Sequence, residues 1–213
     1  MENSKIYSKV FLWLFVGLAI TFVGGWALSL NEAIYQPLLK VGIIPIIVVE
    51  LVIAIAMGFG IKKMNPIIAK ICYIIFSITT GITFSAIFLE YELGSIMLVF
   101  LITAFIFAGL AVLGFITKKD VSRFGPILLI TFLAAIILSI VNIFMHNTML
   151  QLGLEILILV IFMGYVIYDM KKIRELVDTM DEDKVAVYGA FQLYLDFINI
   201  FVRLLEFFGK KSN

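Results

Sequence analysis

Residues 186–208 read AVYGAFQLYLDFINIFVRLLEFF, an apolar stretch long enough to cross a bilayer that nevertheless has Asp196 near its middle. A carboxylate at that depth of a membrane span costs about 2.5–3.5 kcal/mol on insertion scales, so such a residue usually serves a function. Small or polar residues recur at steps of three and four, which places them on one helix face. They are Gly189, Gln192, Asp196, Asn199, Arg203 and Glu206. We therefore expect this face to point toward other helices or water.

The composition is that of a polytopic membrane protein. Of the 213 residues, 63% are hydrophobic and 15% are charged, whereas soluble domains are about half apolar and a quarter charged. The apolar residues are collected into runs of about 20, the length that crosses a bilayer as a helix. We predict an all-α membrane protein with seven transmembrane helices in a single domain, residues 1–213. The predicted spans are about 10–30, 41–61, 67–89, 93–117, 124–145, 149–169 and 186–208.

The basic residues predict the orientation. Twelve Lys and Arg residues fall on the side of the N-terminus and four on the other side. Positive charge favours the cytoplasmic side, so we expect a cytoplasmic N-terminus and an external C-terminus. Because the loops are short, we expect a multi-pass protein of the inner (plasma) membrane. Residues 169–185 form a charged, water-facing linker whose first half favours continuation of the sixth helix, because Lys, Arg, Glu and Leu are good helix formers.

Ionisable and amide side chains inside the spans form a candidate ion path, because oxygen ligands and negative charge favour hard cations and protons. Its members, in addition to Asp169 and Asp196, are Glu50, Glu155, Gln192, Asn199, Arg203 and Glu206. Some have a simpler interpretation. Arg203 and Glu206 are three residues apart and favour a local ion pair. Glu155 lies close enough to the boundary to reach the headgroups. Glu50 also suits a protonated carboxyl that hydrogen-bonds a neighbouring helix.

Two segments resemble a known family. Residues 193–201 read LYLDFINIF, and Tyr168-Asp169-Met170 ends the preceding span; both are similar to the transmembrane Bax inhibitor motif family in its bacterial branch. The resemblance implies a seven-helix bundle whose last helix is surrounded by the others. It also implies a pH-sensitive calcium leak in which an aspartate pair, here Asp169 and Asp196, forms the pH sensor and cation gate.

The resemblance further implies a cationic side chain at the inner end of the second span that latches one aspartate. Bacterial relatives are expected to have arginine there, whereas this chain has Ile61-Lys62-Lys63. Lysine does not reproduce the bidentate pairing of arginine with a carboxylate. The candidate latch residues are therefore Lys62, Lys63 and Arg174, and the sequence does not choose among them.

The expected mechanism follows from the chemistry of paired acids. Two carboxyl groups held close together in a poorly hydrated site cannot both ionise cheaply, so they share a proton. At higher pH both ionise and become able to bind Ca²⁺, which makes Asp169 and Asp196 the candidate metal site. We expect calcium ions and protons as ligands and the lipid bilayer as environment, without a resident cofactor or nucleic acid; a protein partner is possible.

Three other functions remain open. A proton-coupled secondary transporter also uses buried acids. A non-transporting regulator of a membrane protease or of a stress or apoptosis partner is the second. An intramembrane aspartyl protease is the third, since its first aspartate follows tyrosine as Asp169 does, but its second resembles Gly-x-Gly-Asp and here Leu195 precedes Asp196. We expect the protein not to be an enzyme.

Overall fold

The computed structural model describes residues 2–41, 44–60 and 63–212, and these residues form an all-helical protein. Eight α-helices follow one another along the chain, and no strand longer than an isolated bridge occurs in the described ranges. The helices are α1 (Glu2–Ser29), α2 (Glu32–Val41), α3 (Ile44–Gly60), α4 (Pro66–Glu90), α5 (Leu93–Ile116), α6 (Phe124–Met145), α7 (Thr148–Leu176) and α8 (Glu182–Phe208). The predicted all-α class is confirmed.

Six of these helices (α1 and α4 to α8) are long and apolar enough to cross a membrane. The second predicted span, residues 41–61, corresponds to α3, which has 17 residues and is shorter than the other six. The described part of the chain thus contains seven apolar helices, one of them short. Large apolar side chains such as Phe105, Phe144 and Met149 are 85%, 80% and 76% exposed. Exposed apolar side chains on long apolar helices place the protein in a lipid bilayer.

Helix α2 was not predicted from the sequence. It occupies the segment that was interpreted as the loop between the first two spans, and it contains Pro37. Backbone amides of Ile34 and Tyr35 donate to the carbonyl of Asn31 at its start. The helix has ten residues and includes several polar side chains. A short helix of this kind produces no apolar run, so a search for spans overlooks it.

Local capping explains several helix boundaries. The Asn65 side chain accepts a hydrogen bond from the Ile67 amide at 2.8 Å, and Pro66 occupies the first turn of α4, where a missing N–H is harmless. Asp181 accepts from the amides of Asp183 and Lys184 at the start of α8. The predicted extension of the sixth span is confirmed, because α7 continues to Leu176.

The helices divide into two compact units. The first comprises the described residues up to Ile96, the segment Leu176–Tyr194, and the end of the chain from Lys210. In this unit α1 packs along α4, and a Cβ placed on Gly25 would lie 2.9 Å from the carbonyl oxygen of Gly81. Small residues permit this close approach of two backbones, as is usual in membrane bundles.

Charged residues join helices at one end of the first unit. Lys9 of α1 pairs with Glu182 at 2.9 Å and with Asp183 at 3.3 Å, and Lys70 of α4 pairs with Asp183 at 2.7 Å. The two acids lie in the first turn of α8, where negative charge also interacts favourably with the helix dipole. These pairs fix the start of α8 against α1 and α4.

The end of the chain binds the loop between α4 and α5. The Glu92 amide donates to the carbonyl of Lys210 at 2.9 Å, and the Ser212 amide donates to the carbonyl of Glu90 at the same distance. Lys211 donates to the Glu90 carboxylate at 2.7 Å, and this hydrogen bond raises the pKa of Lys211 above its ordinary value of 10.5. We call residues 210–212 with Glu90 and Glu92 the terminal clamp.

The second unit comprises Met97–Glu175 and Leu195–Gly209. Here α5 approaches α7 closely, because a Cβ on Gly114 would lie 2.6 Å from the carbonyl oxygen of Ile167. The Phe197 ring of α8 makes a tilted contact with Phe100 of α5 at a centroid distance of 5.2 Å and an edge contact with Phe107 of α5 at 5.6 Å. These contacts position the parts of α7 and α8 that contain the two aspartates.

Helix α8 is the most deeply buried of the six long apolar helices. In its most apolar window 72% of the residues are buried, against 11–39% in the other five. Within the first unit its early residues pack against α4, with Phe191 and Tyr194 contacting Tyr73 and Phe76. The extensive burial of α8 agrees with the covered last helix that the family resemblance implies.

Candidate functional site: a buried aspartate pair

The second unit brings Asp169 of α7 and Asp196 of α8 together. Each residue is only 3% exposed. The two carboxyl groups interact electrostatically, and the Tyr165 side chain interacts with both. Asp and Glu are almost never fully buried unless they are paired, so two buried acids acting on each other form an unusual arrangement.

One carboxylate oxygen of the pair is unsatisfied. Oδ2 of Asp196 is buried and has no hydrogen-bond partner among the described residues. An unpaired buried acceptor costs about 1–3 kcal/mol, and more when it is charged. A proton or a cation at this oxygen removes that cost, so the geometry favours an occupied carboxyl over a bare one.

The surroundings of the pair are apolar and aromatic. Met170, which follows Asp169, is 2% exposed, and Phe197, which follows Asp196, is 3% exposed. In a medium of low dielectric constant, two like charges at short range repel strongly. Ionisation of both groups at once is therefore costly unless a cation is present.

The candidate latch residues do not all fall in the described part of the chain. Lys62 lies outside the described residues, and Lys63 is exposed. Arg174 is exposed and donates to the carbonyl of Phe115 at 3.0 Å, with its guanidinium over the Phe115 ring. Within the described ranges, the charged group that acts on Asp196 is Asp169. The latch therefore stays a prediction.

Two residues of the candidate ion path have partners on their own helix, at one end of α8. Arg203 forms an ion pair with Glu206, as the spacing of three predicted. The Nε atom of Arg203 is buried without a hydrogen-bond partner. This pair accounts for both charges locally and gives no sign of a binding site by itself.

Further residues of the candidate ion path also bond locally. Glu155 accepts from the Gln151 amide at 2.8 Å, one turn away on α7. The side-chain amide of Asn199 donates to the backbone carbonyl of Leu195 at 2.8 Å. Gln192 is half-buried. Glu50 lies in the first unit, where its carboxyl contacts Thr80.

A tightly held metal ion would need more ligands than this pair supplies. The described residues contain no group of three or more His, Cys, Asp or Glu side chains that could hold a metal ion. Structural calcium sites use six to eight oxygen ligands. Two carboxyl groups suit brief binding of a partly hydrated cation.

Comparison with known proteins assigns the chain to a family. A profile described as "Inhibitor of apoptosis-promoting Bax1" matches residues 3–213. The chain belongs to the Bax inhibitor family. The Escherichia coli (strain K12) "Inner membrane protein YbhL" is 31% identical over 212 residues, which cover 96% of this chain and 91% of that protein. An uncharacterized protein of Borreliella burgdorferi is 33% identical over 218 residues, which cover 99% and 94%.

This Bax inhibitor family protein has a site residue that the sequence reasoning missed. Tyr165 acts on both Asp169 and Asp196. It lies four residues before Asp169 on α7, and residues at that spacing share a helix face. The spacing could have revealed the contact of Tyr165 with Asp169. The approach of Tyr165 to Asp196, by contrast, depends on how α7 and α8 pack.

Proposed function

We propose that this Bax inhibitor family protein is a pH-sensitive cation leak pathway, with Ca²⁺ as the permeant ion, gated by Asp169 and Asp196. The observation that supports the proposal is a pair of buried, mutually interacting carboxyl groups with one orphan oxygen. The proposal includes no catalytic role and no resident cofactor.

Competition between protons and Ca²⁺ provides the gate. When one proton is shared, the pair has a single negative charge, α7 and α8 are held together, and a divalent cation is bound weakly. When that proton leaves, two charges repel in a medium of low dielectric constant and attract a divalent cation. Cation passage therefore increases as pH rises through the range in which the shared proton is lost.

The orientation belongs to the same proposal. We place the N-terminus and the Lys9 and Lys70 ion pairs at the cytoplasmic face of an inner membrane, and the terminal clamp outside. The Escherichia coli relative is named as an inner membrane protein, which supports this choice of membrane. In that orientation Asp169 lies about two turns before the cytoplasmic end of α7.

Calcium flux in liposomes tests the proposal. The purified protein is reconstituted with a calcium indicator inside the vesicles, and influx is measured between pH 5 and 8. We expect Asp169→Asn and Asp196→Asn to alter both the flux and its pH response, and the double variant to resemble a single one, because the titration belongs to the pair.

Asp178→Asn is the matched control. Asp178 is an exposed acid beyond the end of α7, so its neutralisation removes a charge without touching the pair. Equal flux and equal pH response in all variants would overturn the proposal. Loss of flux in the control as well would also count against it, because a surface charge effect would then explain the result.

A further inference from the structure

A second polar cluster lies inside the first unit, at the level of the membrane helices. The carboxyl of Glu50 (α3) is hydrogen-bonded to the side chain of Thr80 (α4). The hydroxyl of Tyr194 (α8) is hydrogen-bonded to that of Thr21 (α1) and lies close to that of Thr80. Four helices thus contribute one polar side chain each.

The hydroxyl protons of this cluster can be assigned one by one. Each hydroxyl has one proton to donate and two lone pairs to accept. Thr21 donates to the carbonyl of Ser77 at 3.0 Å, so its oxygen accepts the Tyr194 proton. Thr80 donates to the carbonyl of Phe76 at 2.9 Å. The protons of Thr21, Thr80 and Tyr194 are then all committed.

In that assignment a neutral Glu50 carboxyl donates to Thr80, whereas an ionised carboxylate requires the Thr80 proton to leave the Phe76 carbonyl. The other observation concerns the same carboxyl: Oε1 of Glu50 is buried and has no hydrogen-bond partner among the described residues. An ionised carboxylate would leave a charge on that orphan oxygen, whereas a neutral acid avoids it. The orphan oxygen therefore favours a protonated Glu50.

We propose that Glu50, Thr80 and Tyr194 form a second proton-binding site, in which the neutral Glu50 carboxyl donates its hydrogen bond to the Thr80 hydroxyl. This inference does not rest on the aspartate pair. Among the described residues, the groups that act on Glu50 are the hydroxyls of Thr80 on α4 and Tyr194 on α8. Tyr194 in turn interacts with Tyr73 on α4.

Loss of the proton reverses one hydrogen bond. When the Glu50 proton leaves to water, the carboxylate can only accept, so the Thr80 hydroxyl must turn from the Phe76 carbonyl to Glu50. The Phe76 carbonyl keeps the hydrogen bond from Thr79, which also donates to it at 2.9 Å. The site therefore has two defined hydrogen-bond states, and the Thr80 hydroxyl switches between them.

Infrared spectroscopy of the membrane-reconstituted protein tests this site. The variant that combines Asp169→Asn with Asp196→Asn serves as background, so that the aspartate pair contributes no signal. We expect a carbonyl stretching band of a neutral carboxylic acid at neutral pH. Glu50→Gln, which preserves side-chain shape, should remove it.

Thr80 and its neighbour Thr79 supply the matched comparison. Both donate to the Phe76 carbonyl, and Thr80 is the one that contacts Glu50. In Thr80→Val the carboxylate has lost its hydrogen-bond donor, which favours the neutral acid. The band should therefore shift to higher frequency. It should also persist to a pH at which the proton concentration is about tenfold or more lower than in the background variant. Thr79→Val should leave the band unchanged, and Thr80→Ser should restore it.

Three results would overturn the inference. The first is the absence of any neutral-acid band that depends on Glu50. The second is a Glu50 band that responds equally to Thr79→Val and Thr80→Val. The third is a Thr80→Ser variant that, although folded by circular dichroism, behaves like Thr80→Val. Because the readout is not ion flux, a failure here leaves the proposed leak function unaffected, and a failure of that function leaves this site intact.

Discussion

The contact between α5 and α7 at Gly114 supports a prediction about both stability and gating. A Cβ at Gly114 would lie 2.6 Å from the carbonyl oxygen of Ile167 and 2.8 Å from the Cβ of Met170. Ordinary van der Waals contact begins at 3.4 Å, so Gly114→Ala requires a local separation of about 0.8 Å. The atoms that must move belong to the backbone and to the first side-chain carbon, and neither can rotate away.

The expected cost follows from that displacement. Overpacking of this kind destabilises a protein by about 1–3 kcal/mol, and each kcal/mol shifts Tm by about 2–4 °C in a chain of this size. We expect Gly114→Ala to lower Tm by about 2–12 °C. Because Met170 follows Asp169, the calcium flux and its pH response should change as well.

Gly109→Ala on the same helix is the control. An added Cβ at Gly109 meets no heavy atom within 4 Å, and alanine is the better helix former. We expect Tm to be unchanged or slightly raised. Thermal unfolding in one detergent, followed by far-ultraviolet circular dichroism, measures both variants. Equal Tm shifts in the two variants would refute the packing argument.

Two further predictions concern the ends and loops of the helices. Deleting residues 210–213 should accelerate hydrogen exchange at the Glu92 amide, which loses its acceptor on Lys210; unchanged exchange would contradict the terminal clamp. The Ser122 amide donates to the Asp120 carboxylate, which lowers the pKa of Asp120 below 3.8. This bond should therefore protect the Ser122 amide from hydrogen exchange above about pH 4, and the protection should be lost as pH falls through the lowered pKa of Asp120. In Asp120→Ala the Ser122 amide should be unprotected at every pH.

Hydrophobic runs predict most of the fold because membrane spans are defined by length and apolarity. The long helices α4, α5 and α6 lie close to the predicted residues 67–89, 93–117 and 124–145. Helix α7 extends past Asp169 to Leu176, as the charged helix formers there indicated. Helix α2 was missed, since it is short and includes polar residues.

The candidate site was predictable only in part. A carboxylate in the middle of a span, Asp196, is visible in any hydropathy plot, and its partner Asp169 came from the resemblance to a family. The ion pair of Arg203 and Glu206 followed from their spacing on one helix. By contrast, the contact of Thr80 with both Glu50 and Tyr194 joins three helices. Such contacts depend on helix rotation and side-chain rotamers, which a periodic pattern does not specify.

The most direct test of the gating account is the number of protons released when Ca²⁺ binds. Isothermal calorimetry in two buffers of different ionisation enthalpy measures this number for the purified protein. If Asp169 and Asp196 share a proton that Ca²⁺ must displace, about one proton should be released per ion at a pH where the pair still holds that proton, and about half a proton at the pH where it is half lost. Asp169→Asn should release fewer protons. Calcium binding without proton release at every pH between 5 and 8 would contradict the account.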